Sequence, residues 1–518
     1  MKKIAIILLT AILLSSCGGR HKVTDTTGPA RKMATNIPET PFILEGDYTP
    51  EIGVTYKVII GEDTCFVVVD SLTDDMMYGH YYKINGLSCA ERHTFSRDIH
   101  WKEQRQNATV YLYQEPEYTP EKDPRYSKET YNVNLLRDVQ YGQANGYWVS
   151  KPGTDNDSYA EIVSSGLKNS IFRVPQSLTM DIYLPDNSDT LRPLLMLLHG
   201  GGFYVGDKQD TAIVGWCRHF AAMGYVTASA NYRMGFLPAK KEITRTGYMA
   251  LQDAHAAMRF LVEHAKQYNI DTNFIFVGGA SAGSITALNL AFMREKDRPR
   301  AVYERRRRDL GSIDGSGNNI RVHFHIKAVA NMWGALTNLN MLKNSQTDII
   351  SFHGDADQVV PYDNGFPFND ISEKLGEKMF DRMYGSVQID KRSRELGRRS
   401  RFYSFPGEGH SLHHYADGSW NQKNFEFIRD KMTEFFFEEI VGHKATIEED
   451  RNDQRHFLIT ATNNIGKVSW KVDGGYIIRL ANNEIWVVWR DDSPSHKLRV
   501  TGKYKNGIPF EEELTIDV

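Results

Sequence analysis

Residues 274–283 read Phe-Ile-Phe-Val-Gly-Gly-Ala-Ser-Ala-Gly, and they set the organisation of the rest of the chain. The apolar residues 274–277 predict a strand, and the residues that follow the serine have a helical pattern. A Gly-x-Ser-x-Gly pattern between a strand and a helix is typical of a sharp turn that exposes the serine hydroxyl above a sheet. Gly279 and Gly283 leave room for the close approach of the chain. Ser281 is therefore the candidate nucleophile, beside a helix N-terminus that favours negative charge.

A second glycine-rich motif, His199-Gly200-Gly201-Gly202-Phe203, comes earlier in the chain. It follows Leu194–Leu198, a continuous apolar run of the kind that a strand buried on both faces requires. Residues without side chains leave their backbone N–H groups free to point at an oxyanion. Together with the N–H of Ala282, the glycines are predicted to stabilise such a charge. The alternative is a flexible loop without a part in chemistry.

The candidate acid lies in the segment His353-Gly354-Asp355-Ala356-Asp357, after the strand-like run Asp348–Phe352. A carboxylate on a loop after a strand can orient a histidine and hold its tautomer. Asp357, at the apex of the loop, is the preferred acid. Asp355 remains the alternative, although its place beside the strand also suits a turn.

The candidate base is His410, in the segment Gly407-Glu408-Gly409-His410-Ser411 after the strand-like run Phe402–Phe405. A glycine-flanked histidine on a loop can reach a serine as general base and then protonate the leaving alcohol. His413 and His414 are its close competitors.

The motifs occur in the order glycine loop, serine, acid and histidine, which is the order of the α/β-hydrolases. Residues 178–437 resemble the carboxylesterase and hormone-sensitive-lipase branch of that fold, also through Met180–Pro185, Gly206 and Asn231-Tyr232-Arg233. The resemblance implies a mostly parallel sheet flanked by helices. It implies hydrolysis of carboxylic esters through a covalent acyl-enzyme, with neither metal nor organic cofactor.

The resemblance also implies a role for each site residue. Ser281 attacks, His410 relays the proton, Asp357 orients His410, and Gly201, Gly202 and Ala282 form the oxyanion hole. Phe203, Tyr204 and Trp333 are candidates for the substrate pocket, although Trp333 also suits ordinary core packing.

The favoured function is an esterase that acts on small esters or on acetylated or feruloylated glycans, and it has two alternatives. One is a serine peptidase of the prolyl-oligopeptidase type, which the triglycine loop disfavours. The other is a binding protein on a hydrolase scaffold, and such proteins typically lose a residue of the Ser-His-Asp set that is complete in this chain.

The first residues have the layout of a secretory signal, predicted over residues 1–16. An apolar run from Ile4 to Leu14 would rise only about 16 Å as a helix, against a bilayer core of about 30 Å. Leu14-Ser15-Ser16-Cys17 resembles the lipobox of bacterial lipoproteins, which implies lipidation of Cys17 and attachment to the membrane. Gly18 favours the outer membrane by the same resemblance. The alternative is a plain signal peptide.

Changes of pattern along the chain predict its domains. These are a tether at 17–45, a β module at 46–130, an α/β domain at 131–440 and an immunoglobulin-like β module at 441–518. Export permits a disulfide, and Cys65 and Cys89 share the first β module, but the sequence leaves their pairing open.

The composition is that of globular protein: 518 residues, 41% of them hydrophobic and 25% charged. A formal net charge of −3 gives no indication of a nucleic-acid partner.

Overall fold

The computed structural model of the chain describes residues 42–44, 51–60, 63–73, 76–85, 88–98, 108–118, 125–149, 175–189, 191–236, 240–305, 308–368, 377, 380–415, 417–442, 444–460, 465–481 and 483–516. The predicted signal peptide, Cys17 and most of the predicted tether lie outside them. The chain divides into two compact units, one of residues 125–440 and one of residues 1–124 with 441–518.

The described strands are, in chain order, β1 (Phe42–Leu44), β2 (Thr55–Ile60), β3 (Asp63–Leu72), β4 (Met76–Asn85), β5 (Ser88–Asp98), β6 (Ala108–Tyr113), β7 (Val133–Asn145), β8 (Pro175–Pro185), β9 (Arg192–Leu198), β10 (Val226–Ala230), β11 (Ile270–Ala280), β12 (Ala328–Met332), β13 (Asp348–Gly354), β14 (Asn364–Gly365), β15 (Met383–Tyr384), β16 (Ser400–Phe405), β17 (Ile447–Asp450), β18 (Asp453–Ile459), β19 (Ile465–Asp473), β20 (Gly475–Ala481), β21 (Glu484–Arg490), β22 (His496–Tyr504) and β23 (Pro509–Ile516). The described α-helices are α1 (Thr211–Ala222), α2 (Lys240–Glu263), α3 (Ala265–Tyr268), α4 (Ala282–Phe292), α5 (Ser386–Glu395) and α6 (Gln422–Val441). Short 3₁₀ helices cover Glu295–Asp297, Arg300–Val302 and Leu339–Asn344.

The unit of residues 125–440 is built on an eight-stranded sheet in the order β16-β13-β12-β11-β9-β10-β8-β7. The six strands from β16 to β10 run parallel, while β8 and β7 are antiparallel to their neighbours. The carboxyl ends of parallel strands meet at one edge of a sheet, where α/β proteins place their sites. The loops after β9, β11, β13 and β16 therefore converge, although they are far apart in sequence.

Helices cover this sheet because its central strands are apolar throughout. Every residue of β9 and of β10 is buried. Helix α1 begins after Asp210, whose carboxylate accepts hydrogen bonds from the N–H groups of Ala212 and Ile213 at 3.0 and 3.1 Å. Helix α2 packs an apolar face on the sheet, with Ala250, Ala254 and their neighbours buried in the core. The prediction of an α/β-hydrolase fold is confirmed.

In the second unit, strands from the N-terminal segment and strands from the C-terminal segment belong to one sheet. Its strands follow the order β1-β6-β2-β3-β4-β5-β21-β18-β17, with β20 beside β21, and β19, β22 and β23 form a separate sheet. Phe66 of β3 stacks on Tyr476 of β20 with ring centroids 4.2 Å apart, and Tyr113 of β6 meets Tyr476 edge-on at 5.5 Å. The sequence predicted two separate modules here, since period-2 patterns locate strands without revealing their partners.

The register separates the two cysteines that were considered for a disulfide. Cys65 pairs with Lys83 of β4, and Cys89 pairs with Ile84 of the same strand from its other side. With a whole strand between them, their Cα atoms are about 10 Å apart by the usual strand spacing. Disulfides need Cα atoms within about 7 Å, so this register disfavours the bond.

Within the part of the chain that the structure describes, no helix combines the length and the apolar character needed to cross a membrane.

Candidate active site

Ser281 lies on a strained turn between β11 and α4. Its backbone has φ +54° and ψ −117°, a region that a non-glycine residue rarely adopts. The turn is held by the Ser281 N–H, which donates to the carbonyl of Met332 at 2.9 Å. A Cβ on Gly279 would lie 2.4 Å from the Gly283 carbonyl carbon, and one on Gly283 would lie 2.2 Å from the Leu198 oxygen. Both glycines are thus required by close chain approach, and the strain keeps the hydroxyl at the sheet edge.

The loops after β13 and β16 bring the predicted acid and base to this hydroxyl. His410 Nε2 lies 2.9 Å from Ser281 Oγ, and His410 Nδ1 lies 2.7 Å from Asp357 Oδ2. The three side chains therefore form one hydrogen-bonded series, in which the imidazole faces both the hydroxyl and the carboxylate.

Asp355, the alternative acid, has a different contact. Its Oδ1 accepts a hydrogen bond from the N–H of Gly407 at 2.7 Å, on the loop that carries His410. The N–H of Ala356 donates to the carbonyl of Glu408 at 3.0 Å. These bonds join the acid loop to the histidine loop, so Asp355 serves the turn while Asp357 faces the imidazole.

The competing histidines line the cavity in front of Ser281 without bonding to it. The ring of His413 packs against Trp333 with centroids 5.3 Å apart and is buried. Burial lowers the pKa of His413 to about 4. His414 packs against the His413 ring at 4.5 Å.

The triglycine loop passes directly beside the nucleophile. A Cβ on Gly200 would lie 3.5 Å from Ser281 Cβ. Gly201 and Gly202 have φ of +103° and +62°, and Phe203 also has a positive φ of +61°. Among the described residues, no backbone carbonyl accepts a bond from the N–H of Gly201, Gly202 or Ala282 outside the regular elements. All three residues line the cavity in front of Ser281.

Residues of the Asn231-Tyr232-Arg233 motif form hydrogen bonds with the glycine loop and with the segment that follows it. The Tyr232 hydroxyl donates to the carbonyl of His199 at 2.7 Å, and the two rings stack at 4.4 Å. Asn231 Oδ1 accepts from the Lys208 N–H at 2.6 Å, and Lys208 Nζ reaches Asp181 at 2.6 Å. Tyr232 therefore holds the start of the glycine loop, and Asn231 holds the segment that follows it.

Asp357 is held as a carboxylate by four N–H groups. Its Oδ1 accepts from the N–H groups of Val359 and Val360 at 2.8 and 3.0 Å. Its Oδ2 faces His410 and also His353 Nε2, at 3.1 Å. Burial alone would raise the pKa of the Asp357 carboxyl, but the bonds from His353 and His410 outweigh it and hold that pKa well below its usual range.

Sequence reasoning missed the buried residues behind the carboxylate, namely His353, Ser386 and Asn331. His353 was noted within the acid motif without a role, and its place at the end of β13 was the one available signal. Ser386 and Asn331 belong to segments without any recognisable motif, so their contribution depends on the tertiary structure.

A cavity of about 760 Å³ opens in front of Ser281. All three predicted pocket residues, Phe203, Tyr204 and Trp333, line it. Most of its remaining wall is apolar, including Phe236, Leu251, Ile285 and Met383. The indole N–H of Trp333 has no hydrogen-bond partner among the described residues. The space suits a largely apolar group beside the reacting centre.

In the described part of the chain, no group of three or more His, Cys, Asp or Glu side chains is placed to hold a metal ion.

Comparison with known proteins relates this region to esterases. Residues 180–350 match the family described as BD-FAE. Gut esterase 1 of Caenorhabditis elegans is 30% identical over 115 residues, which make up 22% of this chain and 20% of that protein. Esterase LipI of Mycobacterium tuberculosis is 34% identical over 131 residues, 24% of this chain and 32% of that protein. Esterase 2 of Thermogutta terrifontis, phosphorylated by paraoxon, is 20% identical with a TM-score of 0.36, over 51% of this chain and 89% of that chain.

The chain spans about a fifth to a third of the length of these two curated relatives. The family match includes the glycine loop and Ser281 and ends before Asp357 and His410. Residues 125–440 thus adopt the α/β-hydrolase fold, and the chain is similar to esterases of that fold.

Proposed function

We propose that the chain is a serine carboxylic-ester hydrolase that works through an acyl-enzyme. The observation that supports this most directly is the hydrogen-bonded series from Ser281 through His410 to Asp357, at the mouth of a cavity and beside free N–H groups. The similarity to esterases over residues 180–350 supports the same reaction class.

The first half of the proposed reaction is the acylation of Ser281. Ser281 Oγ attacks the ester carbonyl while its proton passes to His410 Nε2, and the carbonyl oxygen becomes an oxyanion. The N–H groups of Gly201, Gly202 and Ala282 are proposed to donate to it, and losing one such donor typically lowers the rate about 10²- to 10³-fold. The tetrahedral intermediate collapses, the bond to the alcohol oxygen breaks, and His410 returns the proton to that oxygen.

Deacylation repeats these steps with water. His410 takes a proton from the water as its oxygen attacks the acyl carbonyl. Collapse breaks the bond to Ser281 Oγ, which regains the proton and releases the carboxylic acid. Asp357 remains ionised throughout, holds the His410 ring and stabilises its charged form.

The decisive test of the reaction class uses Ser281→Ala. We expect it to fold and to lose essentially all turnover of 4-nitrophenyl esters, while Ser419→Ala, an exposed serine elsewhere, behaves as wild type. A fluorophosphonate should label the wild-type peptide that contains Ser281. Normal turnover by Ser281→Ala would contradict the proposal, and faster cleavage of a dipeptide anilide than of the esters would favour a peptidase.

The cavity supports a bulky apolar or aromatic group on the substrate, which favours feruloyl over acetyl esters of glycans. An acetyl group would leave most of a 760 Å³ cavity with apolar walls unfilled. A panel from acetyl to long acyl esters, with acetylated and feruloylated glycans, should give the highest kcat/KM for the larger acyl groups. A maximum at acetyl would contradict this assignment.

We further propose that the protein is an exported lipoprotein anchored through Cys17 in the outer membrane. Labelled palmitate should enter the wild-type protein and not Cys17→Ser, and the wild type should fractionate with outer membranes. Equal labelling of both proteins would exclude this anchor.

A further inference from the structure

The buried side chains behind Asp357 form a continuous chain of hydrogen bonds that leads away from the cavity. His353, Ser386, Asn331 and Ser284 are fully buried. They come from four different elements, β13, α5, β12 and α4. A buried polar network rigidifies a core when every member is satisfied, and here one fixed donor orients Asn331.

That fixed donor is the backbone N–H of Gly334. It donates to the side chain of Asn331 at 3.0 Å, so the atom facing it is the carbonyl oxygen Oδ1. Ser284 Oγ donates to the same oxygen at 2.7 Å. The amide nitrogen of Asn331 therefore points the other way, where it donates to Ser351 Oγ and Ser386 Oγ at 3.0 Å each.

The oxygens that face His353 Nε2 determine the proton positions on His353 and Ser386. Asp357 Oδ2 and the Val360 carbonyl can only accept, so the proton of the neutral His353 ring lies on Nε2, which faces both of them. The proton on Nε2 points at Asp357 Oδ2, 3.1 Å away, and also lies near the Val360 carbonyl at 3.3 Å. His353 Nδ1 is then the acceptor, and the hydroxyl of Ser386 donates to it over 2.8 Å while Ser386 Oγ accepts from Asn331.

We propose that His353 is a positioning residue of the active site, whose Nε2–H donates to the same Asp357 oxygen that binds His410, while Ser386, held by Asn331, donates to its Nδ1. This inference rests on the proposed function. Asp357 Oδ2 is shared between two imidazoles, and His353 prevents the carboxylate from rotating out of line with the His410 ring. His353 itself touches neither the cavity nor Ser281.

Removing the Nε2–H donor of His353 has two expected consequences. The carboxylate gains freedom, so kcat falls while KM changes little, since substrate binding does not involve His353. The carboxylate also keeps more negative charge, which stabilises the protonated form of His410. The acid limb of the kcat/KM profile therefore moves to higher pH. The other histidines and carboxylates that line the cavity among the described residues, namely His413, His414, Asp210 and Asp381, stay unchanged in each variant.

The test compares His353→Phe, which keeps a ring without a donor, with His353→Gln, whose amide N–H can replace Nε2–H. We expect His353→Phe to lower kcat about 10- to 100-fold and to move the acid limb upward by roughly 0.5–1 pH unit. His353→Gln should restore the wild-type limb and most of kcat. Ser386→Ala should change both quantities in the same direction by less, and it tests the proposal if His353→Phe does not fold.

His255→Phe is the matched control, because His255 is a buried histidine that bonds to Asp314 at 3.2 Å and does not line the cavity. It should lower stability without moving the pH profile. If kcat and the acid limb of folded His353→Phe match wild type, or change no more than those of His255→Phe, the proposal is wrong. Failure of the proposed function is distinct, since Ser281→Ala would then keep its ester turnover.

Discussion

Tyr232 and Tyr225 are both fully buried, but their hydroxyls have different surroundings. The Tyr232 hydroxyl donates to the His199 carbonyl at 2.7 Å, at the start of the glycine loop. The Tyr225 hydroxyl has no hydrogen-bond partner among the described residues. A hydroxyl buried without a partner lowers stability, while a bonded one raises it.

We therefore expect opposite results from the same substitution. Tyr232→Phe should lower the free energy of unfolding by about 1–2 kcal/mol and reduce kcat, because the glycine loop loses its anchor. Tyr225→Phe should be neutral or stabilising and leave kcat unchanged. Urea unfolding and ester kinetics on the two variants check this, and equal destabilisation would contradict it.

His413 makes the stability of this unit dependent on pH. Its pKa is lowered to about 4 by burial, against about 6.5 in an unfolded chain. Between these values the unfolded state binds a proton that the folded state does not, so the free energy of unfolding falls as the pH drops through this window. Burial of the His413 ring is the main cause, because its charged form is poorly solvated there.

The variant His413→Gln should flatten this dependence. Urea unfolding at pH 7 and pH 5 should show a smaller loss of stability for His413→Gln than for wild type. His323→Gln, which changes an exposed histidine, should keep the wild-type slope. A wild-type slope in both variants would show that His413 does not carry this effect.

Two helical glycines, Gly283 and Gly247, differ in the atoms that an added methyl group would contact. Gly283, in the first turn of α4, faces the Leu198 and His199 carbonyl oxygens, and its Cβ would lie 2.2 and 2.4 Å from them. Gly247, within α2, would place a Cβ 3.8 Å from the Phe203 ring, an ordinary contact. An added methyl group would therefore meet backbone atoms at Gly283 and only a side-chain ring at Gly247.

Gly283→Ala should destabilise the unit by at least about 1–3 kcal/mol through overpacking, and it should lower kcat because the nucleophile turn shifts. Gly247→Ala should stabilise it by about 0.5–1 kcal/mol, the usual gain of alanine over glycine within a helix. Thermal or urea unfolding gives the sign of each change. A stable, active Gly283→Ala would contradict the close approach.

At the scale of the whole molecule, the N-terminal and C-terminal segments of the chain share a core in one unit. Tyr476, from the C-terminal segment, is buried against Phe66 and Tyr113 of the N-terminal segment. Tyr78 of the same unit is 40% exposed. The N-terminal strands therefore depend on residues that lie hundreds of positions later.

Tyr476→Ala should destabilise this unit by about 3 kcal/mol or more and increase the rate of proteolysis within residues 51–118. Tyr78→Ala should change stability by less than about 0.5 kcal/mol, as exposed positions usually do. Limited proteolysis with mass spectrometry locates the first cuts. Protection of the N-terminal strands in Tyr476→Ala would contradict a shared core.

The local sequence determined those features that depend on nearest neighbours. The strand-glycine-serine-helix pattern predicts the turn at Ser281, apolar runs predict the buried strands, and motif order predicts the α/β-hydrolase fold. Asp357 and His410 were preferred over their neighbours for the same reason, because turn chemistry and glycine spacing are local properties.

Tertiary structure decided what depends on residues distant in the chain. Asp355 bonds to the loop that carries His410, and His353, Ser386 and Asn331 lie behind Asp357. Residues of β3, β6 and β20 pack in one core. A hydrogen-bond direction or a packing partner is set by the three-dimensional register of separate elements, and periodicity along one segment carries no information about it.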